Sequence, residues 1–311
     1  MNHGLDSVDA RVAGMTVAQA HAIEDDLHAY TARYPTLFPA EPMGPVPERL
    51  SQAVAFGAPG HTAVELRPAA RTSLWVFGVD WLIDHQAQRA EDIIDIRNRC
   101  VVVADTGSPI DGDDLSTFLA DVRAQVATSP AFAQHEGVWR EELLAMLRAM
   151  IVEWSWKQQL RPQSTAQAPE LGVQPPIPRD LDGYLSIADN IGSAWVNVAH
   201  WIYLADPVVL DHLLPLREAS KTVQAALRLL NDLATADQEK VRGDINALAL
   251  GFSEEAVRTR AGELADEANH LLRRLRGECP QGAHYLAEQL QYSQAFYGAG
   301  LDYKAPPNEP S

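Results

Sequence analysis

The chain has 311 residues, room for one large or two ordinary domains, and 46% of them are hydrophobic, so it can bury a sizeable core and disorder is not its default state. Its net charge is −17, from 42 acidic against 25 basic residues, which argues against nucleic acid or an anionic membrane as the main partner, because both demand clustered Lys and Arg. The two cysteines, Cys100 and Cys279, give neither a zinc spacing nor a disulfide framework and fit a reducing, cytoplasmic setting.

Residues 1–16 read as a loose tail; they are polar and lack the apolar segment of a signal peptide. Helical periodicity then predicts a helix over 17–34, a Pro-rich loop over 36–47, and a short helix over 49–56 broken by Gly57-Ala-Pro-Gly60. A strong helix is expected from 71 to about 99, with Leu74, Trp75, Phe77, Trp81 and Leu82 on its apolar side. Further helices are expected over 114–129, 139–160, 180–205, 210–217, 219–250, 253–276 and 284–297. A Pro- and Gln-rich break spans 161–178, and residues 304–311 form a second tail. No strand alternation, internal repeat, glycine-rich phosphate loop or apolar run near the roughly 18 residues of a membrane span is present. These breaks are short, so the prediction is one all-α domain over 17–303.

Two stretches carry chemistry. Asn231, Thr235 and Glu239 are spaced by four residues, so they stack on one helix face and offer an amide oxygen, a hydroxyl and a carboxylate. Those are hard oxygen donors of the kind Mg²⁺ takes beside water and phosphate; the alternative is an exposed polar face. Asp80 and Asp84 also lie four apart, and their neighbours are Trp75, Phe77, Trp81 and Ile83 rather than charges. That setting favours a cleft over a solvated acidic face. Arg228, Lys240 and Arg242 are nearby bases able to hold a diphosphate.

The stretch Asn231-Asp-Leu-Ala-Thr235-Ala-Asp-Gln-Glu239 resembles the second metal motif of class I terpene synthases, (N/D)Dxx(S/T)xxxE, and Asp80-Trp81-Leu-Ile-Asp84 resembles their first, DDxxD. Trp154-Ser-Trp156 before a loop and Tyr184-Leu185 after it fit the same plan, so the resemblance spans about 70–303. It implies an α-helical bundle with a central cavity, several Mg²⁺ ions (three in the family) held by Asp80, Asp84, Asn231, Thr235 and Glu239, a prenyl diphosphate as substrate, and a homodimer as the usual assembly. Within the family the length and helix content resemble bacterial diterpene synthases of the terpentetriene synthase type. Those act on a bicyclic C20 diphosphate, such as terpentedienyl diphosphate, supplied by a class II cyclase. Trp75, Phe77, Trp81, Trp154, Trp195 and Tyr203 are then candidates to stabilise a carbocation with their ring faces, against plain core packing as the alternative. The sequence departs from the family pattern at Trp81, which replaces the second Asp. It also lacks the diphosphate-sensing Arg expected near Ala188-Asp189, and its C-terminal Arg-Tyr pair reads Asp302-Tyr303. A prenyl-chain-elongating synthase and a non-catalytic isoprenoid-binding protein are the competing readings. His85, His200, His212 and Asp189-Asn190 carry no assignment from sequence.

Overall fold

A computed structural model of the chain describes residues 10–160 and 175–304. Among them the secondary structure is helical throughout, with no strand. The helices are α1 (Ala10–Arg33), α2 (Ala40–Met43), α3 (Val46–Phe56), α4 (Ala63–Trp81), α5 (Ala90–Thr106), α6 (Asp114–Val126), α7 (Phe132–Leu160), α8 (Leu181–Leu185), α9 (Ser193–Leu204), α10 (Pro207–Asp211), α11 (Leu213–Arg242), α12 (Glu254–Leu275) and α13 (Pro280–Gly298).

Local chemistry explains most boundaries. Thr62 and Glu65 form a reciprocal capping box at the start of α4, and Asp113, Asp180, Asp206 and Ser253 cap α6, α8, α10 and α12 with their side chains. Gly107 and Gly243 end α5 and α11 in the left-handed conformation.

Several predicted elements differ in the structure. Helix α2 lies inside the loop expected over 36–47, and in place of the helices expected over 210–217 and 219–250 stand α10 and one long helix, α11, that already ends at Arg242. The first helix begins at Ala10, inside the stretch expected to be a tail; residues 1–9 lie outside the described chain. The helix expected over 71–99 is two helices, because α4 widens into a π-turn at Leu82–Gln86 and then opens at the extended Ala87 before α5. The helix expected over 180–205 is α8, a 3₁₀ turn at Ala188–Ile191 and α9, hinged at Gly192 with φ +76°. The breaks follow tertiary packing, which local periodicity does not report. The break expected over 161–178 and the tail expected over 304–311 fall mostly outside the described residues.

Two apolar clusters hold the bundle. One joins α1, α3, α4, α5, α6, α7, α9 and the start of α11; the other joins α8, α12 and the middle of α11 to α13. Between them α3, α4, α7, α9, α11 and α13 leave a cavity of about 260 Å³. No described helix is long and apolar enough to cross a membrane.

Gly192 sets where α9 enters this wall. A Cβ there would stand 2.8 Å from Met146 Sδ and 2.9 Å from Val76 Cγ1, in a backbone conformation that side chains disfavour. Gly192→Ala should therefore destabilise the fold by about 1–3 kcal/mol, read as a lower melting temperature. His200 lies buried against Tyr285, and burial together with His61 lowers its pKa to about 3. The unfolded chain thus takes up a proton the fold refuses, so stability held above about pH 6.5 is lost as pH falls. His200→Phe should flatten the acid side of the melting-temperature profile.

Candidate active site

The cavity is lined by acidic and polar side chains and by Phe77 and four tyrosines. Asp80, in the last turn of α4, and Asp84, in the π-turn, both line it, as do Asn231 and Glu239 of α11. The structure thus brings the two predicted motifs, about 150 residues apart in sequence, to one opening.

Each carboxylate has an internal partner. Lys157 of α7, only 6% exposed, donates to Asp84 Oδ1 at 3.2 Å and to Asp244 Oδ1 at 2.7 Å, joining the first motif to the residue just past α11. Lys304 donates to Asp80 Oδ2 at 2.7 Å. Arg49 of α3 grips the backbone carbonyls of Asp302 and Lys304 and so fixes the C-terminal strap that carries this lysine over the cavity. Burial, then repulsion from Asp80, raises the pKa of Asp84 to about 7 against the pull of Lys157. Burial, then repulsion from Asp232, raises Glu239 to about 8, although its Oε2 accepts from Asn246 Nδ2 at 2.7 Å. The mouth therefore holds more negative charge than its own lysines comfortably neutralise.

The second motif is anchored from below. Thr235 is buried, and its hydroxyl donates to the Asn231 carbonyl at 2.8 Å; it lies beneath the cavity wall, whereas Asn231 faces the opening beside Tyr297. Asp232 accepts from the Ala247 amide at 3.3 Å, and its carbonyl accepts from Asn246 Nδ2 at 2.9 Å, which pins the loop after α11 back onto that helix. Arg228 is a wall residue already engaged: it donates to Glu153 Oε1 at 2.7 Å and to the Tyr184 hydroxyl at 2.7 and 2.9 Å. Arg242 lines the cavity 3.7 Å from Asp302, and Lys240 is exposed away from it.

The predicted aromatic set changes. Of Trp75, Phe77, Trp81, Trp154, Trp195 and Tyr203, only Phe77 lines the cavity. Trp75 and Trp195 pack edge to face at 5.3 Å, and Trp75 Nε1 donates to the Leu115 carbonyl at 3.0 Å, so both belong to the core. Trp154 is buried with its Nε1 on the Ala87 carbonyl at 3.4 Å, where it steadies the end of the π-turn. Trp81 stacks on His85 at 3.8 Å, off the cavity wall, and Tyr203 also lies off it. The rings on the wall are Phe77, Tyr285, Tyr292, Tyr297 and Tyr303. Two signals were available for what sequence reasoning missed: Tyr285, Gln289, Tyr292, Ser293 and Tyr297 recur at helical spacing, and Lys157 is a lone charge beside Trp154 and Trp156.

Residues 71–270 match the family described as terpene synthase family 2, C-terminal metal binding. The chain belongs to that family. It is a class I terpene synthase, an enzyme of the lyase type. A curated relative, ent-pimara-9(11),15-diene synthase of Streptomyces sp. (strain KO-3988), is 26% identical over 90% of each chain. Among solved structures, the linalool/nerolidol synthase of Streptomyces clavuligerus superposes with a TM-score of 0.62 at 14% identity, covering 92% of this chain and 95% of that one. The 2-methylisoborneol synthase of Streptomyces coelicolor A3(2), solved with Mg²⁺ and 2-fluorogeranyl diphosphate, gives 0.55 at 13% identity over 94% of each chain. These likenesses carry the fold; the sequence match carries the family.

Among the described residues no three His, Cys, Asp or Glu side chains form a ready-made metal cage. A metal needs ionised carboxylates, and Asp84 and Glu239 are pushed up to about 7 and 8, so a divalent cation held by these two side chains should bind more tightly from about pH 6 to about pH 9 and then level off. Calorimetry in buffers of different ionisation enthalpy should show protons released on binding at neutral pH.

Proposed function

We propose that this terpene synthase ionises a C20 prenyl diphosphate in an Mg²⁺-dependent reaction and deprotonates the resulting cation to a diterpene hydrocarbon. The observation that carries the reading is the single cavity joining an oxygen-donor mouth, Asp80, Asp84, Asn231 and Glu239, to an interior walled by Phe77 and four tyrosines. The C20 class follows the curated relative, a diterpene synthase. A bicyclic diphosphate from a class II cyclase, such as terpentedienyl diphosphate, is the preferred member. Its support is an altered anion site: Arg228 is engaged by Glu153 and Tyr184, and the sequence has no Arg at Ala188-Asp189.

Asp80, Asp84, Asn231, Thr235 and Glu239 are the residues that would hold Mg²⁺, with Thr235 reached through a small movement of its buried hydroxyl. When bound, the ions supply positive charge that makes diphosphate a better leaving group. Arg242 and Lys304 add positive charge at the same mouth. The C–O bond breaks heterolytically, its electron pair leaves with diphosphate, and an allylic cation remains on the hydrocarbon. The faces of Phe77, Tyr285, Tyr292, Tyr297 and Tyr303 favour that cation by about 0.5–2 kcal/mol each where a ring faces the charge. Arg49 holds the strap at the cavity, a position from which it would shield the cation from water. Loss of one proton, taken up at the released diphosphate, gives the alkene.

Asn231→Ala and Glu239→Ala should each lower turnover by about a hundredfold or more with little change in melting temperature. Survival of turnover in both variants would refute the ligand assignment. Incubation with Mg²⁺ and C10, C15, linear C20 and bicyclic C20 diphosphates should give hydrocarbon from the bicyclic C20 substrate in preference. Preference for a linear substrate would overturn the late-acting role.

A further inference from the structure

The mouth contains two lysines that bond directly to the two aspartates of the first motif, yet they differ in kind. Lys157 stands on the long helix α7, nearly sealed from solvent, and shares two carboxylates on different elements. Losing either contact would leave a buried charge, so this lysine is a fixed brace. Lys304 stands on the strap after α13, lines the cavity itself, and holds a single carboxylate. Its Nζ stands 2.7 Å from Asp80 Oδ2, so an ammonium sits at the aspartate.

An ammonium 2.7 Å from Asp80 competes with a divalent cation for the same carboxylate. If the cation takes the other oxygen, the two positive charges still repel across one group. Once displaced, the ammonium remains tethered at the mouth, because Arg49 holds the backbone of Asp302 and Lys304 rather than the lysine side chain. The freed charge then favours an anion in the same opening. We propose that Lys304 is a positioning residue that couples the two ligands: it opposes Mg²⁺ at Asp80 when the cleft is empty, and it favours Mg²⁺ together with diphosphate. This rests on the metal assignment above and adds to it a coupling through a residue of the chain.

The test is calorimetric titration of the full chain with Mg²⁺ alone, and with Mg²⁺ in saturating inorganic diphosphate, for wild type, Lys304→Met and Lys304→Arg. Lys304→Met should bind Mg²⁺ alone more tightly by about tenfold, the scale of an ordinary coupling between two sites. In diphosphate that advantage should vanish or reverse, and Lys304→Arg should keep the wild-type pattern. The same variant should raise KM for the diphosphate substrate more than it lowers kcat. Equal Mg²⁺ affinity in wild type and Lys304→Met, or a diphosphate effect of equal size in both, would overturn the proposal while leaving the metal site standing if Asn231→Ala still abolishes Mg²⁺ binding. Failure of folded wild type to bind Mg²⁺ with or without diphosphate would overturn the metal assignment and this proposal together.

Discussion

The constraint on which this structure depends is the cost of gathering carboxylates at the mouth of an apolar cavity. Asp80, Asp84, Asp232, Glu239 and Asp244 converge there from the end of α4, the π-turn and the end of α11. Taking such charges from water is expensive unless each is paired or hydrogen-bonded. The chain meets this with Lys157 on Asp84 and Asp244, Lys304 on Asp80, Asn246 on Glu239, and the Ala247 amide on Asp232. The raised pKa values of Asp84 and Glu239 show that compensation is incomplete. A site left short of positive charge is one suited to cations that arrive with a phosphate.

The same constraint explains why the breaks in the helices fall where they do. The π-turn ends α4 just after Asp80, and Asp80 and Asp84 both lie on the cavity wall with Trp81 off it. On the opposite side, Gly192 lets α9 start close to Val76 and Met146, placing Ser193, Val196 and Asn197 on the wall. Both departures sit at the cavity, where side chains from distant segments must meet. Helix α13 adds Tyr285, Tyr292 and Tyr297 to the same wall.

The all-α fold, most helix positions and the shared helix face of Asn231, Thr235 and Glu239 were legible in the sequence, because helical periodicity and four-residue spacings are local properties of the chain. The family followed from the resemblance those residues carry. Which aromatic rings face the cavity was not legible: a tryptophan in an apolar helix satisfies the pattern equally well in the core, as Trp75 and Trp195 do, or on a cavity wall, as Phe77 does. Lys157, Asp244, Lys304 and Arg49 were missed for the same reason, since their partners lie tens to hundreds of residues away. The sequence by itself thus determined the helices and the donor atoms they carry, which depend on neighbours within a turn. Only the tertiary structure decided which donors share an opening, which lysines neutralise them and which rings wall the cavity. Those outcomes depend on how whole helices pack, and on the charge that packing forces together.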